Sequence, residues 1–317
     1  MVDLTPPEVE PKSFLYLFIG AIPDVPRVDP DEFILDKKYK DAYLANVRFI
    51  LNKTSAISVV GELENPNSKI VGDLTLSRTY GKWYLANPFN PKITYQGDEK
   101  AICYPQDYFV ISEDGSMIVV RPGKKNFFSN LNFSQEQRIL ESERLSEGGR
   151  LVIGENIVFY SGDALSPEEE KTLKELFPSK LILRVHTPQS LGIKDKYRVS
   201  SHIDQFIGGP LELSDGRVLI PIDMDYYESA KEELLKTINP NSEKERELVY
   251  LPINSSGFYL FNYPFIRGTF FIGPELAKIL QNSDYWNNIR SPIEILPQEL
   301  PVCQFYKAGM KCKLNFI

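Results

Sequence analysis

The chain has 317 residues, a net charge of −7, two histidines and three cysteines. This length suits one large domain or two ordinary ones, and so few histidines and cysteines argue against a zinc site or a disulfide-stapled scaffold. The acidic balance and the lack of a Lys/Arg cluster argue against nucleic-acid binding, and no apolar run approaches the roughly 18 residues that span a membrane. The first residues lack the features of a signal peptide, so we expect a cytoplasmic protein.

The first hundred residues predict a lead-in followed by a strand, a helix and a second strand. Residues 1–12 are acidic and proline-rich, which predicts a flexible segment. Apolar runs at 14–21 and 55–60 predict buried strands, and the amphipathic run at 38–51 between them predicts a helix. Gly, Asn and Pro residues throughout 61–100 predict turns and short strands.

From about residue 104 onward, a unit of hairpin, helix and strand recurs. An Asp-Gly turn at 114–115 predicts the first hairpin. Ser134 and Gln137 have the spacing of a capping box, which predicts that residues 134–145 form a helix.

The same unit follows three more times in outline. A hairpin at 148–162 precedes a helix that starts at Ser166-Pro167-Glu168, where a capping residue, a proline and acids follow one another. Later hairpins are predicted around 215–216 and 257–273, each followed by a helix and a strand. A unit takes roughly 50 residues, which leaves room for five or six, although an ordinary α+β domain explains the pattern of elements equally well.

The scarce residues that could carry chemistry lie where one unit joins the next. Asp107 begins one hairpin, Glu147 precedes the next, and Cys312 lies near the last residue. His202 and Asp204 are two residues apart in a segment that we expect to be extended, so their side chains should project to one face. Element ends held by a rigid scaffold are where catalytic residues gather.

Each of these residues also has an ordinary structural explanation. A single acid is most often a solvated surface charge, and a lone cysteine is often buried and inert. We expect the other histidine and cysteines, His186, Cys103 and Cys303, to be structural. The set of five, taken in order, favours a functional role.

Four segments resemble, in order, those of the guanidino-modifying pentein superfamily, closest to its peptidylarginine and agmatine deiminases. They are PQDYFVISEDGSMIV with Asp107, SEGGRLVIGENIVFYSG with Glu147, HID with His202 and Asp204, and GMKCKLN with Cys312. The resemblance covers about residues 100–317. It implies an α/β fold, a five-bladed propeller of repeated ββαβ-type units around a central active-site cavity. With residues 1–12 as the lead-in, residues 13–317 would form a single catalytic domain.

The resemblance also implies a role for each site residue. Cys312 would attack the carbon of a guanidinium group as a thiolate, and His202 would protonate the departing ammonia and then activate water. Asp107 and Asp204 would bind the guanidinium nitrogens, and Glu147 would support the histidine and the positive charge. No metal and no organic cofactor is implied.

The physical chemistry of a guanidinium group agrees with these residue types. The group is planar, always charged and rich in paired N–H donors, which carboxylates match with charge-assisted hydrogen bonds. Its central carbon is a poor electrophile, so a strong nucleophile and a covalent intermediate are useful. A thiol is mostly protonated at neutral pH, so a nearby cation must favour the thiolate.

Three positions depart from or refine the family pattern. Gln106 precedes Asp107 where many members have an arginine, and Arg150 follows Glu-Gly-Gly where many have an acid. Ala308 to Lys311 stand where agmatine deiminases carry a glycine triplet. These departures leave the substrate open more than the fold.

We therefore expect a hydrolase that deiminates an arginine-type substrate, whether peptidyl-arginine, agmatine or free arginine, to a ureido product and ammonia. An amidinotransferase or a dihydrolase would use the same cysteine with a different outcome. A non-catalytic protein-binding module on the same scaffold is the alternative outside enzymes. The expected partner is a small guanidino compound or an arginine side chain, without nucleic acid or membrane; the oligomeric state and any calcium dependence stay open.

Overall fold

The structure is a computed structural model. It describes the following residues: 16–19, 30–54, 56–60, 76–79, 82–85, 93–94, 105–123, 125, 137–162, 165–187, 190–191, 202–234, 247–254, 259–301, 311 and 314–316. The predicted lead-in at 1–12 lies outside these residues.

The N-terminal part of the described chain builds a mixed sheet. Its elements are β1 (Tyr16–Ile19), α1 (Pro30–Thr54), β2 (Ile57–Val60), β3 (Leu76–Thr79), β4 (Lys82–Leu85) and β5 (Ile93–Thr94). Strand β2 runs parallel to β1, and β5 runs parallel to β2. Strands β3 and β4 form a separate antiparallel hairpin.

Four further sheets follow, each with three strands, and the last strand of the chain then joins the first sheet. The elements are β6 (Phe109–Ile111), β7 (Met117–Val120), β8 (Arg138–Glu141), α2 (Glu143–Ser146), β9 (Leu151–Ile153), β10 (Ile157–Ser161), α3 (Pro167–Leu176), β11 (Leu181–Val185), β12 (Leu211–Glu212), β13 (Val218–Asp223), α4 (Met224–Leu234), β14 (Leu248–Ile253), β15 (Phe265–Ile266), β16 (Thr269–Ile272), α5 (Pro274–Gln281), β17 (Ile293–Ile295) and β18 (Leu314–Phe316). In every one of these four sheets the first two strands are an antiparallel hairpin and the third runs parallel to the second.

The last strand belongs to the first sheet. Strand β18 pairs antiparallel with β1, with Leu17 opposite Phe316. The described residues therefore hold five sheets of three or four strands and the separate hairpin. The α/β class with repeated ββαβ-type units is confirmed, whereas the placement of the units as five blades around one cavity stays a prediction.

The described part of the predicted helix at 134–145 does not form one continuous helix. Residues 138–141 are strand β8, with Ile139 opposite Ile118 of β7. The short helix α2 starts only afterwards, where the Ser142 hydroxyl accepts a hydrogen bond from the Leu145 amide at 3.3 Å. The prediction is wrong because β7 offers a backbone partner along its open edge, and a short helix has little stability of its own to compete with that pairing.

Helix α3 begins where its sequence signals predict. Ser166 and Glu169 form a reciprocal capping box, in which each side chain bonds the backbone of the other. The hydroxyl and carboxylate thus satisfy two amides that the first helical turn leaves open.

Neighbouring sheets share apolar cores, and these cores hold the segment that carries the rare histidine. Phe159 of β10 and Ile220 of β13 belong to one buried cluster, which also contains Ile203 and Phe206. Ile203 and Phe206 are at most 2% exposed, so apolar burial fixes the segment around residue 204 from both sides. No helix in the described part of the chain is both long and apolar enough to cross a bilayer.

Candidate functional site

Three short 3₁₀ turns at equivalent places in successive units supply most of the site. They are Pro105–Asp107 before β6, Gly148–Arg150 before β9, and Ile203–Gln205 before β12. The second turn contacts both of the others. The predicted residues Asp107, Glu147, His202 and Asp204 therefore come from three units into one cluster.

The segment that carries the histidine differs from the expected extended one. His202 itself is extended, but residues 203–205 turn as a 3₁₀ helix. The segment is therefore not extended throughout, and the extended geometry from which a shared face was predicted is wrong. Burial of the flanking apolar residues overrides the local preference of a His-x-Asp sequence. His202 and Asp204 consequently reach different partners within the same cluster.

His202 is held between a glutamate and a glycine. Its Nε2 atom lies 3.0 Å from Glu147 Oε1 and 4.0 Å from Asp107 Oδ1, and the residue is 5% exposed. A Cβ atom at Gly149 would lie 2.3 Å from His202 Nδ1, so only glycine leaves room for the ring. The Glu-Gly-Gly sequence thus supplies both the carboxylate that orients the imidazole and the space that the imidazole occupies.

Glu147 is paired on both of its oxygens. Oε2 accepts a hydrogen bond from Arg150 Nε, while Oε1 faces the imidazole. Burial acts to raise the pKa of Glu147, but the hydrogen bonds from His202 and Arg150 outweigh it and lower the pKa to about 2. The side chain is therefore a carboxylate at any physiological pH. Arg150 neutralises part of the charge of Glu147.

Asp107 is the least satisfied acid of the cluster. Burial raises its pKa from 3.8 to about 6; the His202 charge opposes this rise, and Asp204 and Glu147 add to it. Its Oδ1 atom is buried and accepts no hydrogen bond from the part of the chain that the structure describes.

Asp204 is almost completely buried, with its side chain 1% exposed. Its Oδ2 atom accepts hydrogen bonds from Gln106 Nε2 at 3.2 Å and from Lys311 Nζ at 3.1 Å. Its Oδ1 atom, like that of Asp107, is buried and accepts no bond from the described residues. The cluster thus holds two buried carboxylate oxygens that lack a hydrogen-bond donor among the described residues.

Two members of this cluster were not predicted from the sequence. Gln106 is named there only as a departure from a family pattern, and Lys311 only as part of a replaced glycine triplet. Because Lys311 is 107 positions from Asp204 along the chain, no local pattern could have indicated their contact.

The cysteine predictions are not described by the structure. Cys312, Cys103 and Cys303 all lie outside the described residues. His186, expected to be structural, directly follows β11, and its carbonyl accepts a hydrogen bond from the Tyr226 hydroxyl at 2.6 Å. Within the described residues no group of three His, Cys, Asp or Glu side chains is arranged to hold a metal ion.

Comparisons with known proteins give the fold. No protein-family model matches the chain, and no curated protein sequence matches it. Among solved structures, the agmatine deiminase of C. jejuni matches with a TM-score of 0.52 and 14% identity, over 96% of this chain and 93% of that one. The agmatine deiminase of Enterococcus faecalis matches with a TM-score of 0.52 and 12% identity over the same shares. The chain therefore shares its fold with these two agmatine deiminases, in agreement with the fold that the sequence resemblance implies.

Proposed function

We propose that the chain is a guanidino hydrolase, which removes ammonia from an arginine-type substrate and leaves a ureido product. The observation that carries the proposal is a pair of buried carboxylate oxygens, Asp107 Oδ1 and Asp204 Oδ1, which accept no hydrogen bond from the described residues; the first lies 4.0 Å from His202 Nε2. Buried acceptors without donors are costly, and a protein keeps them where a ligand supplies the donors.

A guanidinium group fits these acceptors better than other common ligands do. It is a planar cation that presents several N–H donors at once, so it can bond two carboxylates while its charge balances theirs. Of the three acids in the cluster, Glu147 is paired with Arg150 and Asp204 with Lys311. Asp107 has no lysine or arginine among its described partners, so it supplies the charge that one bound cation would neutralise.

The proposed nucleophile is Cys312, which follows Lys311 directly in the sequence. Its thiolate would add to the guanidinium carbon and form a C–S bond. The C–N bond would then break as His202 delivers a proton to the departing nitrogen, which leaves as ammonia. A covalent thiouronium would remain on the cysteine.

The same imidazole would complete the reaction. Having given up its proton, His202 would accept one from water, whose oxygen adds to the thiouronium carbon. The C–S bond would then break and the added hydroxyl would lose its proton to solvent, which releases the ureido product and leaves Cys312 as the thiolate and His202 as the imidazolium for the next cycle. Glu147, ionised and 3.0 Å from His202 Nε2, would stabilise the imidazolium at each stage where it is protonated.

The likeness of fold supports this choice of reaction among the many that a Cys–His pair can perform. The two solved structures described above are agmatine deiminases by name. Agmatine is for that reason the first substrate to test, with free arginine and an arginine peptide beside it.

The test is a paired assay of ammonia release and ureido product with agmatine, free arginine, a methylated arginine and an arginine peptide. We expect equal amounts of both products from one of these compounds. Cys312→Ala should abolish turnover, whereas Cys103→Ala, a matched loss of thiol, should retain it. Turnover of none of the compounds, or full activity in Cys312→Ala, would refute the proposal.

A further inference from the structure

Lys311 makes the densest set of polar contacts in the cluster. Its Nζ atom donates to Asp204 Oδ2 at 3.1 Å, to the Gly148 carbonyl at 3.0 Å and to the Leu151 carbonyl. An ammonium group has three hydrogens, so all of its donors are used. The backbone amide of Lys311 also donates to the Asn262 carbonyl at 3.1 Å.

Through these contacts Lys311 joins its own segment to three others. The Gly148 and Leu151 carbonyls flank the turn that follows Glu147, Asp204 belongs to the turn that follows His202, and Asn262 precedes β15. The side chain of Lys311 is 17% exposed, which shields its ion pair with Asp204 from solvent screening. Because all three hydrogens of its ammonium group are bonded and most of its side chain is buried, Lys311 acts as a structural contact and not as an exposed surface charge.

We propose that Lys311 is a positioning residue, which fixes the C-terminal segment against Asp204 and the turn after Glu147 and so places Cys312 for attack. The inference rests on the function proposed above. Because Cys312 is covalently joined to Lys311, the four hydrogen bonds that hold Lys311 limit where the following residue can lie. Lys311 acts through Cys312 and Asp204 and takes no proton itself.

The charge of Lys311 has a second consequence for the same cysteine. The ammonium balances the buried carboxylate of Asp204, so a thiolate brought into this cluster for the attack would meet less negative charge. Lys311 therefore favours the reactive form of the thiol as well as its position. It also occupies Asp204 Oδ2 together with Gln106, which leaves a single oxygen of Asp204 for the substrate.

The experiment measures Cys312 alkylation by iodoacetamide, resolved from the other two cysteines by peptide mass spectrometry, together with kcat and KM. In Lys311→Met we expect alkylation of Cys312 to slow severalfold at neutral pH and kcat to fall at least tenfold, with a smaller change in KM. Lys311→Arg restores the charge without the three-point geometry, so it should recover most of the alkylation rate and little of kcat.

Lys180→Met is the matched control. Lys180 is also half-buried, donates to the Glu155 carbonyl at 2.7 Å and lies near Glu113, but none of these partners belongs to the cluster. It should leave both alkylation and kcat at wild-type values while changing the melting temperature by a similar amount.

Two results would overturn the proposal. One is a Lys311→Met protein with wild-type kcat and wild-type alkylation of Cys312. The other is faster alkylation, which would show that the lysine only buries the segment. If Lys311→Met does not fold, the Arg variant decides, because a wild-type kcat there would exclude the geometric role. Alkylation needs no substrate, so a wild type that turns over no guanidino compound would refute the proposed function and still leave this test valid.

Discussion

Asp107 gives the site a pH dependence that follows from one buried carboxyl group. Its pKa is raised to about 6, chiefly by burial, so the free protein binds a proton there as the pH falls through that value. A protonated carboxyl group cannot balance a guanidinium charge. Under the proposed function, substrate binding would therefore need the ionised form of Asp107, which is present above about pH 6.

We predict that kcat/KM falls as the pH is lowered below about 6, by up to tenfold per pH unit, because this parameter reports the free enzyme. Asp107→Asn should lower kcat/KM throughout and remove this acidic limb. The measurement is a pH–rate profile of both proteins between pH 5 and 8. A limb with the same midpoint in Asp107→Asn would assign it to another group.

The same raised pKa has a defined sign for stability. The folded protein binds this proton more tightly than the unfolded chain, so Asp107 favours folding at low pH. That contribution is fully present below the ordinary value of 3.8 and is lost as the pH rises through about 6. At neutral pH the ionised Asp107 side chain thus lowers the free energy of unfolding, and a bound cation would offset this loss of stability.

The elements that matter most to the site are its short turns, and the turn after Glu147 depends on a glycine. We predict that Gly149→Ala lowers kcat at least tenfold, because the new Cβ would lie 2.3 Å from His202 Nδ1 and the ring must leave its bond to Glu147. Gly216→Ala is the control, since Gly216 has φ +88° and open space around it. It should cost about 1 kcal/mol of stability through backbone strain and leave kcat unchanged.

The measurement is kcat together with the melting temperature of both variants. A Gly149→Ala protein with wild-type kcat would show that the imidazole does not act from the position seen here.

Comparison at the level of elements shows where sequence reasoning succeeds. Asp-Gly turns, the Ser166-Pro167 helix start and the alternation of apolar runs are local signals, and the structure follows them. The capping-box spacing at Ser134 was a local signal too, but the open edge of β7 captured residues 138–141 as a strand. A local sequence pattern does not determine the secondary structure where a neighbouring strand offers better backbone pairing.

The site residues show the same contrast between local sequence signals and long-range contacts. Acids and a histidine at the joins between units could be predicted because rare residue types at element ends are visible in the sequence. The partners of those residues could not, since Gln106 and Lys311 meet Asp204 only after three distant segments have packed together. Arg150 stands out in the sequence only as a departure from the family pattern, and its pairing with Glu147, which favours the ionised glutamate, is not among the predictions.

For the whole molecule, residues far apart in sequence are joined at two places. Strand β18 completes the sheet of β1, and Asn46 of α1 bonds the backbone of Gln298 with both ends of its amide, at 3.0 and 3.1 Å. Asn46 is 0% exposed, so water cannot replace these bonds. These bonds hold the N-terminal helix to a residue 252 positions later in the chain.

We predict that Asn46→Ala lowers the free energy of unfolding by about 2 kcal/mol, because the fully buried Asn46 amide loses two hydrogen bonds to the Gln298 backbone, at roughly 1 kcal/mol each. Asn52→Ala is the matched control on the same helix, where the asparagine is exposed. Denaturant unfolding of both variants measures the difference. Equal stability of the two would mean that the contact of α1 with Gln298 adds nothing to the fold.

The central claim, covalent catalysis on a guanidinium group, is tested most directly by the intact mass of the protein after rapid acid quench with agmatine. A deiminase should carry on Cys312 an adduct equal to the substrate less one ammonia, and Cys312→Ala should carry none. An adduct of the amidino group alone, with the diamine released, would instead indicate a transferase. A wild-type protein that turns agmatine over without any adduct would contradict the mechanism.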